Sequence, residues 1–298
     1  MPQLALSFEL RGLDPQSAEQ ACLDAGALAI TFSDTRDDAV LEPAPGEVRL
    51  WPATRLQALF AGDADECQLS ARLARALGIE VARFAVERLA DRAWEREWLR
   101  DFHALRFGRR LWICPHHESV ADDGAVVVRL DPGMAFGTGT HPSTALCLEW
   151  LDAHLRPGAR VIDYGSGSGI LGLAAARLGA LRVDAYDIDP QARLATAENA
   201  AANGVQQCLR VHATATALPR TTDLLIANIL AGTLCDLAPG LAPRVRSGGQ
   251  IVLAGILSEQ AEGVAAAYAP WCDISLCGAR AGWVALAGTR KQDVHGLS

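Results

Sequence analysis

A strand that runs directly into three alternating glycines constrains this chain more than any other feature. Residues 160–163 read as a strand and continue as Tyr164-Gly165-Ser166-Gly167-Ser168-Gly169 into a helix over 170–178. Lacking a Cβ, glycine lets such a turn bend tightly and bring bare main chain against a ligand at the helix N-terminus. The dinucleotide fingerprint is G-x-G-x-x-G; here the third glycine comes one residue early and position 170 is Ile. Beyond the turn the pattern is strictly strand then helix, the mark of a doubly wound parallel sheet of the α/β class. Strands are expected at 183–187, 209–213, 223–227 and 250–254, with helices from Pro190 to about Asn203, after Gly232 and after Ser258. The last two apolar runs, 274–277 and 283–287, are split only by 278–282. That is too little chain for a crossover helix, so an antiparallel hairpin closes the mostly parallel sheet.

Chemistry gathers at the ends of these strands. The second ends Tyr186-Asp187-Ile188-Asp189-Pro190. A carboxylate there, about 20 residues after the glycines, is placed to accept hydrogen bonds from a ribose diol, and Asp187 is the candidate. Asp189, just before Pro190, reads as the N-cap of the next helix. Both features fit any nucleoside cofactor, a nicotinamide one included. The fourth strand ends Ala227-Asn228-Ile229-Leu230-Ala231 and brings Asn228 to the edge where ligands lie in open sheets. Its amide can accept from an amine and donate to a cofactor, or cap the helix that follows. Upstream, 131–144 is dense in glycine and hydroxyls and reads as a loop feeding a helix, or as a wall over the cofactor. His141, beside Pro142, reads as orienting that loop.

The first 90 residues follow another plan. Leu4, Leu6, Phe8 and Leu10 recur at period two, as in a half-buried strand. A helix from Pro15 to Gly26, strands at 27–32 and 47–51, a helix over 69–77 stopped by Gly78, and a run at 81–86 complete β-α-β-β-α-β, the order of a ferredoxin-like sandwich. With no catalytic constellation in it, this module reads as one that recognises something. From 88 to 108 the charge rises, while Trp94, Trp98, Phe102 and Leu105 form one apolar stripe. This predicts an interdomain helix; acids interleaved with its arginines disfavour a nucleic-acid surface. The expected division is a recognition domain at 1–88, the helix at 89–108 and the sheet domain at 109–298.

Composition removes other classes. At 50% hydrophobic and 21% charged, the 298 residues bury real cores and are not a disordered chain. A net charge of −8 argues against coating nucleic acid by bulk charge. The eight cysteines form no C-x-x-C pair and no His/Cys cluster has zinc-ligand spacing, so no metal is expected. The amino terminus lacks a signal-peptide layout and no run of about 18 apolar residues occurs, so a monomeric, reduced, cytoplasmic protein without a membrane span is expected. Lysine occurs once, at Lys291. This reads as compositional bias, or as a gain for the chain's own chemistry.

Six runs together resemble one family: WEREWLRDFHALRFGRRLWICP, DPGMAFGTGTHPSTALCLEWLD, VIDYGSGSGILGLAAARLGA, YDIDPQARLATAENAAANGV, ANILAGTLCDLAP and GGQIVLAGILSEQAEGV. They are similar to those of the ribosomal protein L11 methyltransferases (PrmA), over most of residues 90–290. The resemblance implies S-adenosylmethionine as methyl donor. It implies, as acceptors, lysine side chains and the N-terminal α-amine of that large-subunit ribosomal protein, met free rather than on the ribosome. It further implies cofactor contacts at Thr144, Gly165, Asp187 and Asn228, with Gly167 and Gly169 beside them. No general base stands out, and Asn228 is the candidate for orienting the amine. Ser166 stands where the family commonly has Cys. Three other readings remain. One is a methyltransferase of the same sheet type with another acceptor, although the amide-methylating kind carries N-P-P-Y where Asn228 is followed by Ile229-Leu230-Ala231. Another is a nicotinamide oxidoreductase, against which the glycine spacing and terminal hairpin stand. The third is a binding module without catalysis.

Overall fold

A computed structural model describes residues 3–35, 53–89, 103–131 and 140–292. The chain divides into two compact units, residues 1–96 and 97–298.

In the first unit, β1 (Gln3–Glu9), α1 (Pro15–Asp24), β2 (Ala29–Asp34), β3 (Thr54–Ala61), α2 (Glu66–Leu77) and β4 (Ala85–Leu89) follow one another. The strands form an antiparallel sheet in the order β2-β3-β1-β4, that of a ferredoxin-like sandwich. Helix α1 starts where the Asp14 side chain accepts from Ser17 N–H and Pro15 fixes the first turn; α2 starts on Asp65 and stops at Gly78, whose φ is +67°. Leu4, Leu6, Phe8, Leu56, Ala58 and Phe60 face Ala18, Cys22, Leu69 and Leu73 in the core. The run expected as a strand at 47–51 lies outside the described residues, and the strand that fills the central place is β3. Its sequence, TRLQALFA, is rich in helix formers, so propensity argues against it. Alternation decides: Leu56, Ala58 and Phe60 are buried while Arg55 and Gln57 are exposed.

The interdomain helix expected over 89–108 lies mostly in the undescribed 90–102, with Trp94, Trp98 and Phe102. Its end is corrected: Leu105 belongs to β5 (Leu105–Phe107), which pairs with β6 (Leu111–Cys114) and through it with β7 (Val126–Arg129). This small three-stranded sheet was not foreseen from sequence.

The main sheet follows α3 (Pro142–His154). Its elements are β8 (Arg160–Tyr164), α4 (Ile170–Arg177), β9 (Arg182–Tyr186), α5 (Pro190–Ala202), β10 (Leu209–His212), β11 (Thr222–Asn228), α6 (Ala231–Leu241), β12 (Val245–Leu257), α7 (Ala261–Tyr268), β13 (Cys272–Arg280) and β14 (Trp283–Arg290). Strand order is β10-β9-β8-β11-β12-β14-β13, parallel through β12 and antiparallel at β14 and β13. The expected terminal hairpin is present. Arg280 pairs with Trp283 across a two-residue turn in which Ala281 and Gly282 both have positive φ, the turn whose twist suits a hairpin. Apolar clusters fill both faces of the sheet, one against α3 and α4 and the other against α6 and α7. The chain runs outward from β8 to β10, then returns to place β11 on the other side of β8. Ligands in open α/β sheets bind at this reversal, beyond the carboxyl ends of β8 and β11.

Candidate active site

The glycine turn leaves β8 at Tyr164 and is tied down on two sides. Gly165 N–H and Ser166 N–H donate to the Tyr186 carbonyl at 2.8 and 3.1 Å, lashing the turn to β9. From α5, Asn199 Nδ2 donates to the Ser168 carbonyl at 2.8 Å, and Thr196 Oγ1 donates to the Gly167 carbonyl at 3.0 Å. Thr196 has one hydroxyl proton, so in its 3.0 Å contact with Ser166 the serine donates. A hydroxyl at position 166 thus enters a bonded chain that a thiol would enter more weakly. Gly165 has φ +77°, and a Cβ there would overlap Ile229 Cγ2. Gly169, at φ +83°, is the N-cap of α4.

Asp187, half-buried, follows β9 directly. Its Oδ2 accepts from Gly167 N–H at 2.8 Å and its Oδ1 from Asp189 N–H at 2.9 Å. Each oxygen keeps a further lone pair for a second donor. Asp189 caps α5, accepting from Gln191 N–H at 2.8 Å, as its place before Pro190 suggested. Arg193 Nη1 holds the carbonyls of Asp187 and Ile188 at 2.7 and 3.0 Å.

Asp163 was not singled out from sequence. It is fully buried under the turn, with Oδ2 accepting from Gly172 N–H at 2.9 Å and no partner at Oδ1. Burial pushes its pKa up to about 7, and the Asp187 charge adds to this while the Gly172 bond opposes it. A lone carboxylate inside the apolar run Val161-Ile162-Asp163, just ahead of a glycine turn, was the available signal.

On the β11 side, Asn228 is the strand's last residue, and its Nδ2 donates to Thr144 Oγ1 at 3.1 Å. Thr144 is buried in the first turn of α3. The structure thus joins two sequence-predicted residues 84 positions apart. His141 is the N-cap of α3, its Nδ1 accepting from Ser143 N–H, with its ring edge-on to Trp283 at 4.6 Å between centroids. Burial holds its pKa below the usual imidazole value, which suits an accepting nitrogen. That agrees with a residue that orients the loop. The glycine-rich stretch 132–139 ahead of it lies outside the described residues.

Among the described residues no cluster of three or more His, Cys, Asp or Glu could hold a metal ion, and no helix is long and apolar enough to cross a membrane. The family model described as ribosomal protein L11 methyltransferase (PrmA) matches residues 4–291. A ribosomal protein L11 methyltransferase of Alkalilimnicola ehrlichii is 51% identical over 276 residues, 91% of this chain and 94% of that protein. One from Pseudomonas aeruginosa is 46% identical over 98% of this chain and 100% of its own. The crystal structure of a ribosomal protein L11 methylase from Lactobacillus delbrueckii subsp. bulgaricus superposes with a TM-score of 0.59 at 35% identity, over 64% of this chain and all of that one. With a mostly parallel sheet closed by an antiparallel hairpin, and likeness along nearly its whole length, the chain belongs to the ribosomal protein L11 methyltransferase (PrmA) family.

Proposed function

We propose that this chain transfers methyl groups from S-adenosylmethionine to amines of ribosomal protein L11: lysine side chains and the N-terminal α-amine. The observation that carries the reading is the Asn228–Thr144 hydrogen bond, 3.1 Å, at the end of the strand that abuts the glycine turn. It supports one crevice with a nucleoside cradle on one wall and an amide on the other. The cradle fits that cofactor. Gly165 has no room for a Cβ, the Asp187 oxygens keep lone pairs for ribose hydroxyls, and the partnerless Asp163 oxygen complements a cationic ligand.

The bound cofactor supplies a methyl already activated on a sulfonium. What the chain must add is placement, since holding nucleophile and methyl in line about 3–3.5 Å apart is worth several kcal/mol. In this reading Asp187 fixes the sugar, Gly165 and Gly167 give main chain close approach with Gly169 opening α4 behind them, and Thr144 holds the Asn228 amide. Asn228 Oδ1 then accepts from the incoming amine and directs its lone pair. A lysine with an ordinary pKa of about 10.4 must arrive neutral, and an apolar wall that disfavours the cation helps it do so.

Residues 1–88 are assigned the recognition of the protein substrate, with the segment ahead of β5 linking them to the catalytic unit. The net charge of −8 favours a basic free protein over the ribosome's RNA surface, and the cytoplasm is where that protein is made. Calorimetry with S-adenosylmethionine against NAD tests the cofactor. Mass spectrometry of purified L11 after incubation with enzyme and cofactor tests the acceptor. Asn228→Ala is expected to bind cofactor but to lose about a hundredfold in turnover; normal turnover would remove the orienting role.

A further inference from the structure

The Asn228 side chain bonds Thr144 rather than the glycine turn. The residue that meets the turn is the next one, Ile229, whose side chain packs on the other face of the sheet from the Asn228–Thr144 bond. Strand β11 pairs with β8 through Ala227 and Tyr164, and with β12 through Asn228 and Ala254. Ile229, one step beyond the Asn228–Ala254 pair and two beyond Ala227–Tyr164, meets a glycine on each side. A Cβ on Gly165 would overlap Ile229 Cγ2. A Cβ on Gly255 would overlap the Ile229 carbonyl oxygen and stand 2.9 Å from its carbonyl carbon.

Gly255 is also where β12 bends. Leu253 pairs with Leu286 and Ile256 with Val284, so Ala254 and Gly255 together stand opposite Ala285 alone, and Gly255 takes φ +80°. This is a bulge that drops the β12 backbone under Ile229. Ile229 is therefore gripped through its main chain by one glycine and through one methyl by the other. The next residue, Leu230, is the N-cap of α6, its carbonyl accepting from Leu234 N–H at 2.9 Å.

We propose that Ile229 is a positioning residue for methyl transfer: its Cγ2 rests on Gly165 and so sets the spacing between the cofactor turn and the Asn228 amide. The inference rests on the methyl-transfer reading above. It differs from a plain packing role in the atom that matters. Valine keeps a Cγ2 branch and loses a methyl, whereas leucine keeps the volume and loses the branch.

The test compares Ile229→Val with Ile229→Leu in the full-length chain, measuring cofactor affinity by calorimetry and kcat with L11 at saturating cofactor. Branch-controlled spacing predicts that Ile229→Val stays within about twofold of wild type, while Ile229→Leu loses about tenfold or more in kcat with a smaller change in affinity, because sub-ångström misplacement acts on the transfer step. A thermal melt of each variant checks folding: Ile229→Leu conserves volume and Ile229→Val removes one methyl group, changes small enough to keep both folded. The proposal is overturned if leucine matches wild type, if valine is the more damaged, or if leucine loses only affinity. A wild-type chain that binds no S-adenosylmethionine would instead remove the methyl-transfer reading, a separate result.

Discussion

Replacing Asp163 by Asn should change how the stability of the catalytic unit responds to pH. The carboxyl is fully buried, bonded at one oxygen to Gly172 N–H and partnerless at the other. Burial raises its folded pKa from 3.8 to about 7. For an acid raised on folding, the associated stability is fully present below 3.8 and is lost as pH rises through 7, because the unfolded chain releases its proton first. The gap corresponds to about 4 kcal/mol. About 1.7 kcal/mol of that is gone by pH 5, where the unfolded carboxyl is already ionised, leaving about 2.5 kcal/mol to be lost between pH 5 and pH 8. Asparagine still accepts from Gly172 N–H and never ionises. Urea unfolding without cofactor, wild type against Asp163→Asn at each pH, cancels all other titrations. The variant's advantage should grow by about 2.5 kcal/mol from pH 5 to pH 8. A difference constant across that range would refute the assignment of a raised pKa to this buried carboxyl. A cationic cofactor favours the ionised form, so wild-type affinity for S-adenosylmethionine should rise over the same range and that of the variant should not.

The opposite sign is expected at Asp223, where hydrogen bonds from Arg160 and Arg246 outweigh burial and hold the carboxyl well below its ordinary 3.8. Its contribution is fully present above pH 3.8 and shrinks as pH falls below that value, so Asp223→Asn should cost about 1–2 kcal/mol at pH 7 and progressively less toward pH 2, read by unfolding at both. Gly165→Ala forces a Cβ onto Ile229 at φ +77° and should cut cofactor affinity about a hundredfold, measured by calorimetry, with little loss of helix content. Lys291 should stay unmodified when enzyme is incubated with cofactor alone and digested for mass spectrometry. It follows β14, which runs antiparallel to β12, so it lies at the edge of the sheet opposite Asn228, and its Nζ donates to the Ala269 carbonyl at 2.6 Å.

What the sequence made legible was whatever depends on local pattern. The parallel strands are short apolar runs ended by polar residues, and β11, Thr222–Asn228, is one whose terminal Asn228 is also a candidate site residue. Strand β3 escaped because its alternation is carried by Leu, Ala and Phe among helix formers, and only pairing with both β1 and β2 makes it a strand. The β5–β7 sheet escaped for another reason. Runs of three and four residues are too short to show a period, so their identity exists only in the partner across the ladder. The same limit applies to the site. Asp187 is readable because its position is set by the glycines that precede it. The bond of Thr144 to Asn228 crosses 84 residues, and only the family resemblance put the two on one list of cofactor contacts.

The early third glycine, which weighed against a dinucleotide site, has a packing origin. Gly169 lies under α5, where a Cβ would come 2.8 Å from Thr196 Cγ2. The same Thr196 holds the Gly167 carbonyl and the Ser166 hydroxyl. Helix α4 therefore begins at once, and Ile170 drops its side chain into the core at 3% exposure. A dinucleotide turn needs its third glycine where helix and strand pack closest, further into the helix. Position 170, where that glycine would fall, is Ile, and the next close approach is two residues deeper at Gly172, whose Cβ would come 3.0 Å from Asp163 Oδ2. The Asp163 carboxyl fills that space and accepts a hydrogen bond from Gly172 N–H. Moving the third glycine to position 170 would take the buried Ile170 side chain out of the core before the turn could admit a diphosphate.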